Sequence, residues 1–256
     1  MVEYLLTERQ RAIEARLARE GRVLSAELAR AFATSEDTIR RDLRALAAAG
    51  RCDRVYGGAL PPSEPGPTSA RGLRAPAAKA ALGAALAALI EPGMTVFLDA
   101  GSTNLACARR IAARDVTLIT HAPPIAAELT ERPGITLITI GGRVDAQVGA
   151  AIGAQALAGI AGLRPDLTLL GACGLDARAG LTAQSVEDAA FKRAIAAQSG
   201  AVATAADRGK LGIAAPFPVI EVDACDLLAL DAAGPPEILA ELGALGPRLV
   251  LVECFE

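Results

Sequence analysis

SEDTIRRDLRALAAAGRCDRVYGGAL, residues Ser35 to Leu60, sets the organisation of the whole chain. Ser35 is suited to cap free backbone N–H groups, and Glu36 and Asp37 place negative charge at the positive end of a helix dipole. A helix is therefore predicted to start here. Ile39, Leu43 and Leu46 recur at helical spacing as one apolar stripe, leaving Thr38, Arg40, Arg41 and Arg44 on or beside the other faces. Gly50 stops the helix. Arg51, Arg54, Val55 and Tyr56 follow, and Gly57-Gly58 marks a short extended ribbon with a turn suited to positive φ. A helix followed by such a ribbon is the arrangement of a recognition helix with a wing.

Upstream, Thr7 to Glu20 opens on a capping-box pattern, Thr7 with Gln10, and continues as an amphipathic helix through Ile13 and Leu17. Gly21-Arg22-Val23 reads as a turn. Ser25 starts a second short helix bearing Leu28, Ala29 and Phe32, and Ala33-Thr34 connects it to the Ser35 helix. Three helices and a ribbon are the parts of a winged helix-turn-helix, predicted over residues 1–60. A generic three-helix bundle with a solvated arginine face has the same parts.

With 256 residues the chain can form one large or two smaller domains, and 52% hydrophobic content suffices for a core. A net charge of -3 argues against a whole protein that coats nucleic acid or an anionic membrane. The charge is uneven, however: residues 1–60 hold 11 Arg against nine acidic residues, and the remainder holds 15 basic against 20 acidic. The small part is the basic one, and its cations are all Arg, the residue that makes bidentate contacts to phosphate and guanine. Five separated cysteines without a C-x-x-C pair, beside a single His, read as reduced cytoplasmic thiols with no zinc or disulfide framework. No metal or cofactor is expected. The N-terminus is acidic and amphipathic, unlike a signal peptide. Ala146 to Leu163 lacks charge but is interrupted by four Gly and two Gln, so a buried turn and helix is expected there rather than a membrane span.

Residues 61–76, PPSEPGPTSARGLRAP, read as a proline-stiffened linker. Beyond it, residues 77–256 alternate helical and aliphatic strand patterns: helix Ala77–Ile90, strand Thr95–Leu98, helix Leu105–Ala112, strand Val116–Thr120, helix Pro124–Thr130 and strand Ile135–Ile140. Helix Gly153–Ile160, strand Leu167–Leu170, helix Val186–Ser199, strands Ala201–Ala205 and Leu227–Leu230, helix Pro236–Leu242 and strand Leu249–Val252 complete the series. Such alternation implies an α/β domain with a mostly parallel sheet covered by helices, whose ligands sit beyond the carboxyl ends of the strands.

Those strand ends carry the polar residues. Asp99-Ala-Gly101-Ser102-Thr103-Asn104 joins a strand to a helix with glycine for close backbone approach, hydroxyls that donate, and a helix N-terminus for an anion. The same residues can also be a plain helix cap. The run lacks the G-x-x-x-x-G-K-[ST] spacing of nucleotide hydrolysis, and the chain has no strand-to-helix G-x-G-x-x-G for a dinucleotide. His121 follows the second strand, Gly141-Gly142-Arg143 the third, and Gly171 to Asp176 the fourth, so one shared pocket is expected. Lys192 and Lys210, two of only three lysines, offer compact charges for a phosphate, with ordinary surface use an equal alternative.

The segments Ser35–Gly50 and Tyr56-Gly57-Gly58-Ala59 together resemble the DNA-binding domain of the DeoR-type family of bacterial sugar-metabolism regulators, which reads S-x-x-T-I-R-R-D-L and later H-G-G-A. Tyr56 stands in for that His. The remainder is similar to the same family's sensor domain: its D-x-G-T-T-x loop is Asp99 to Asn104 with Ser102 for the first Thr, and its paired glycines are Gly141-Gly142. Its G-x-x-G-[IL]-D segment is Gly171 to Asp176, its glycine-threonine pair is Gly180 and Thr182, its lysine-arginine is Lys192-Arg193, and its D-x-x-K-x-G is Asp207 to Gly212. His121 stands where the family commonly has Asn.

The resemblance implies a cytoplasmic transcriptional regulator, usually a repressor of a carbohydrate or polyol operon. Its sensor would be ribose-5-phosphate isomerase-like in fold and would bind a phosphorylated sugar or polyol without catalysis. The implied effector residues are Asp99, Gly101, Ser102, Thr103, Asn104, His121, Gly141, Gly142, Gly174, Asp176, Lys192, Asp207 and Lys210. Double-stranded operator DNA would be met by Ser35, Thr38, Arg40, Arg41, Arg44, Arg51, Arg54 and Tyr56, in a homo-oligomer, dimer or tetramer, with no membrane partner. The rival reading keeps the fold and makes the body a sugar-phosphate isomerase, with Asp99, Asp176 or Glu187 transferring protons beside Lys192.

Overall fold

The computed structural model describes residues 2–20, 22–55, 57–60 and 76–254. The N-terminal part contains α1 (Val2–Glu20), β1 (Val23–Leu24), α2 (Ser25–Ala31), α3 (Glu36–Ala48), β2 (Asp53–Val55) and β3 (Gly58–Leu60). The helix expected to start at Thr7 starts at Val2 instead, because Glu3 to Leu6 contain no breaker and the helix runs through the capping-box pattern. Ile13, Leu17, Leu28, Ile39, Leu43 and Leu46 close the head's core. Arg51 N–H donates to the Leu46 carbonyl at 2.8 Å and Gly50 N–H to the Ala47 carbonyl at 2.9 Å, which ends α3 in a Schellman motif.

The ribbon is an antiparallel hairpin in which Val55 faces Gly58, with β1 added beyond β3. Its two glycines do different work. Gly57 has φ +82°, whereas a Cβ on Gly58 would lie 2.0 Å from the Val23 carbonyl oxygen, so β1 packs there only against a residue without a side chain. Tyr56 and all of the expected linker except Pro76 fall outside the described residues.

In the larger part, β4 (Thr95–Leu98), β5 (Val116–Thr120), β6 (Ile135–Thr139), β9 (Leu167–Gly171), β12 (Ala201–Ala206), β14 (Leu227–Asp231) and β15 (Arg248–Val252) form one seven-stranded sheet. Its order is β15-β14-β12-β9-β4-β5-β6, and every pair is parallel. The helices are α4 (Pro76–Ala87), α5 (Ser102–Arg110), α6 (Pro123–Leu129), α7 (Ala154–Ile160), α8 (Val186–Ala196) and α9 (Pro236–Gly243). Strand side chains alternate between two cores, Val96 and Leu98 against α4, α5 and α6, and Phe97 against α7 and α8.

Besides β1, which starts at Val23 where a turn was expected and is held by β3, two further sets of strands escaped the sequence reading. β7 (Arg143–Asp145) and β8 (Ala150–Ile152) form a hairpin where only a turn and helix were expected, and β10 (Gly174–Asp176), β11 (Gly180–Ala183) and β13 (Phe217–Ile220) form a small antiparallel sheet. They are three or four residues long, and their alternation is too brief to register as a period. The first helix of this part ends at Ala87, not Ile90. The chain leaves β4 toward β5 and β6 on one side, and β9 returns on the other, so the topological switch point lies between the carboxyl ends of β4 and β9.

Candidate functional site

On the head, Ser35 accepts a hydrogen bond from Thr38 N–H at 3.2 Å, with the two hydroxyls 2.9 Å apart. These two residues form the cap of α3. Arg40 is held by Glu36 at 3.0 Å and Asp37 at 3.3 Å, and Arg51 pairs with Glu14. Arg41, Arg44 and Arg54 are exposed and make no ion pair among the described residues. The expected DNA-contacting set thus separates into cations already neutralised within the head and cations that are not. Asp42 was missed: it is 1% exposed and accepts from Arg9 Nε at 2.5 Å, tying α3 to α1. Its helical position among Ile39, Leu43 and Leu46 was the available signal.

In the larger part, the loop after β4 runs directly across the switch point. Asp99 is fully buried: Oδ1 accepts from Ala100 N–H at 2.8 Å and lies 2.9 Å from His121 Nε2, while Oδ2 accepts from Gly171 N–H at 2.7 Å. The side chain therefore binds the end of β9 to the end of β4. Lys192 Nζ sits 3.5 Å from Asp99 Oδ2 and 2.8 Å from Asp188 Oδ2. His121 Nδ1 lies 2.8 Å from the Ala151 carbonyl, and its ring stacks on Phe191 at 4.3 Å with planes 2° apart. Asn104 gives its amide to the carbonyls of Asp99 and Leu169, both at 2.9 Å.

Burial alone would raise the Asp99 carboxyl, but the Lys192 ammonium, His121 and the Gly171 N–H outweigh it and hold it below the usual carboxylate range. Burial would likewise lower the Lys192 ammonium, but Asp99 and Asp188 prevail and raise it. Lys192 is thus a buried member of a charge cluster and not a surface lysine.

The remaining expected residues lie in the segments that follow β4, β6, β9 and β12. Gly101, with φ +141°, precedes α5 and no side chain caps that helix, so its first-turn N–H groups beside Ser102 and Thr103 are offered to a ligand or solvent. Gly141 is exposed and Gly142 half-buried, and the neighbouring Arg143 meets Glu187 at 2.8 Å. Three residues serve the backbone: Gly174 carbonyl accepts from Thr182 Oγ1, Asp176 accepts from Arg178 and Ala179 N–H, and Asp207 accepts from Gly209 N–H. Lys210 lies half-buried at the end of that last turn. Asp188, absent from the expected set, is 3% exposed and spaced i,i+4 from Lys192, the sequence sign of such a pair. Two hollows of about 390 and 560 Å3 lie elsewhere, between α2 and α3 and near the C-terminal ends of α4 and α5. The cluster is closed over.

The capped helix, its wing and the sheet-edge loop match two family models in one chain: residues 9–64 the DeoR-like helix-turn-helix domain, and residues 74–232 the DeoR C-terminal sensor domain. The chain belongs to the DeoR family. Among DeoR-family relatives it is 30% identical to the HTH-type transcriptional repressor GlcR of Bacillus subtilis, over 88% of each chain. It is 31% identical to the HTH-type transcriptional regulator GolR of Listeria innocua, over 88% of this chain and 90% of that one. It is 29% identical to the glycerol-3-phosphate regulon repressor of Escherichia coli, over 92% and 95%. Among solved structures, ribose 5-phosphate isomerase from Plasmodium falciparum overlays on 53% of the chain, and 52% of its own, at 18% identity and a TM-score of 0.38. So loose a likeness carries no argument. Among the described residues no helix is long and apolar enough to cross a membrane.

Proposed function

We propose that this DeoR-family chain represses a carbohydrate or polyol operon and that a phosphorylated sugar or polyol, bound at the rim above the Asp99 cluster, controls it. The observation that carries the reading is the pairing of a DNA-reading head with a sensor domain in one chain, each matched by its own family model. In the head, Arg41, Arg44 and Arg54 face duplex DNA, and Ser35 with Thr38 sets the start of the reading helix. In the sensor, the N–H groups at the start of α5 with Ser102 and Thr103 receive the phosphate, and Lys210 and Gly141-Gly142 border it. Asp99, Asn104, His121 and Lys192 act from beneath by fixing that loop. The sensor parts join copies of the chain into a dimer or tetramer that presents two heads to two half-sites.

The test is gel-shift titration of DNA upstream of the chain's own gene, with and without a panel of sugar and polyol phosphates. Binding that changes with one of them, with no turnover of it, supports the reading. Turnover would support an isomerase instead, and failure to bind DNA at moderate salt would end the repressor assignment.

A further inference from the structure

An acid stands on the outward face of α3. Ile39, Asp42, Leu43 and Leu46 are buried, so Asp37, Arg41, Arg44 and Ala48 line the middle of the opposite face. That face is the one a reading helix turns to the major groove, its N-terminal residues foremost. The Asp37 side chain is 86% exposed there. A carboxylate in that place repels the phosphates of every duplex. The helix start does not depend on it, because Ser35 already caps the Thr38 N–H and Glu36 supplies negative charge in the same turn. Among the described residues the Asp37 side chain is bonded only to Arg40, whose Nη1 lies 3.3 Å from Asp37 Oδ1 while its Nη2 lies 3.0 Å from Glu36 Oε2.

Resting on the DNA-reading head proposed above, we infer that Asp37 and Arg40 together read one C·G base pair of the operator, with Asp37 as the residue that sets the choice. The two side chains hold an acceptor beside a fork of donors. The major-groove edge of a C·G pair is the complement, since the cytosine N4 amino group donates beside the guanine O6 and N7 acceptors. A guanidinium has five N–H donors and the two carboxylates occupy two of them, so the two that guanine takes remain. Held from both sides, the Arg40 fork enters the groove already oriented. An A·T pair fits less well, because beside the adenine amino group it offers Arg40 one thymine oxygen and then a methyl group. With cytosine and guanine exchanged, guanine acceptors meet the carboxylate and repel it. Asp37 thereby discriminates where Arg40 alone would not.

In the experiment the full chain selects from a pool of duplexes with a randomised centre, the bound fraction is sequenced, and affinities are then measured on duplexes that differ at one base pair. Wild type is expected to enrich a C·G pair in each half-site and to lose affinity by about fivefold to a hundredfold when that pair alone is changed. Asp37→Ala and Arg40→Ala should both relax the choice at that same position, and Asp37→Ala should bind mixed-sequence duplex at least as tightly as wild type. Asp37→Asn should exchange C·G for A·T, because an amide matches adenine N6 and N7. A role confined to the helix start would lower the melting midpoint of Asp37→Ala and leave the selected sequence unchanged, and that result overturns the inference. So does relaxation by Asp37→Ala at a position other than the one relaxed by Arg40→Ala. If Asp37→Ala does not fold, Asp37→Asn, which keeps the shape of the side chain, decides. Wild type that binds duplex without enriching a C·G pair removes this inference alone; wild type that binds no duplex ends the repressor assignment and takes the inference with it.

Discussion

Three residues hold their surroundings through polar contacts. Asp42 is the conspicuous one in the head, since a carboxylate on the apolar face of α3 survives only through Arg9. Asp42→Ala is expected to destabilise the head by about 1–3 kcal/mol, the cost of removing a hydrogen bond to a charged partner, read as an earlier melting transition. His121 reaches Asp99 Oδ1 at 2.9 Å through one ring nitrogen and the Ala151 carbonyl at 2.8 Å through the other, which ties the end of β5 to β4 and β8. Asp99 sets an acid limit. Its folded value is depressed, so its contribution is complete above the unfolded value of about 4 and is lost as pH falls through the folded value, while Lys192, raised in the fold, keeps its contribution until pH rises past about 10.5. The sensor's melting midpoint should therefore drop below about pH 4, and Asp99→Asn should flatten that slope.

At the scale of elements, α3 is decided by its ends and by which arginines its own acids occupy. Arg40 sits between Glu36 and Asp37, one turn or less away, and these same acids favour the helix N-terminus. The helix start is thus stabilised by groups that compete with DNA phosphate for Arg40. Arg41→Ala and Arg44→Ala are each expected to weaken duplex binding and to lower the salt dependence of the affinity by about one counterion, with Arg40→Ala doing less; titration across a salt series measures this. An equal loss from all three would show that Glu36 and Asp37 release Arg40 on binding.

Across the whole molecule, Arg22 of the head donates to the Leu211 carbonyl. Leu211 ends the Asp207–Lys210 turn, and the following Gly212 N–H bonds the Leu175 carbonyl in β10. This contact joins the DNA-reading part to a loop that borders the proposed effector rim. Arg22→Ala should leave DNA binding and effector-induced melting shifts in place while reducing the effector's influence on DNA affinity. Unchanged coupling in that variant would exclude this route.

The sequence by itself determined the elements with strong periods or strong punctuation: the capped α3 with its glycine stop, the long aliphatic strands, and the Asp99 to Asn104 loop at a strand end. These rest on interactions between near neighbours, which spacing reveals. The tertiary structure alone decided what the polar residues do. Asp99 turned out to be buried across the β4–β9 switch point, with His121 and Lys192 as its buried partners, and Asp42 to be held by Arg9, because each partner lies in a distant element that only folding brings near. The β7–β8 hairpin and the β10-β11-β13 sheet belong with these: strands three or four residues long are stabilised by the backbone bonds and side chains of what they pack against, and their own sequence carries too few alternations to announce them.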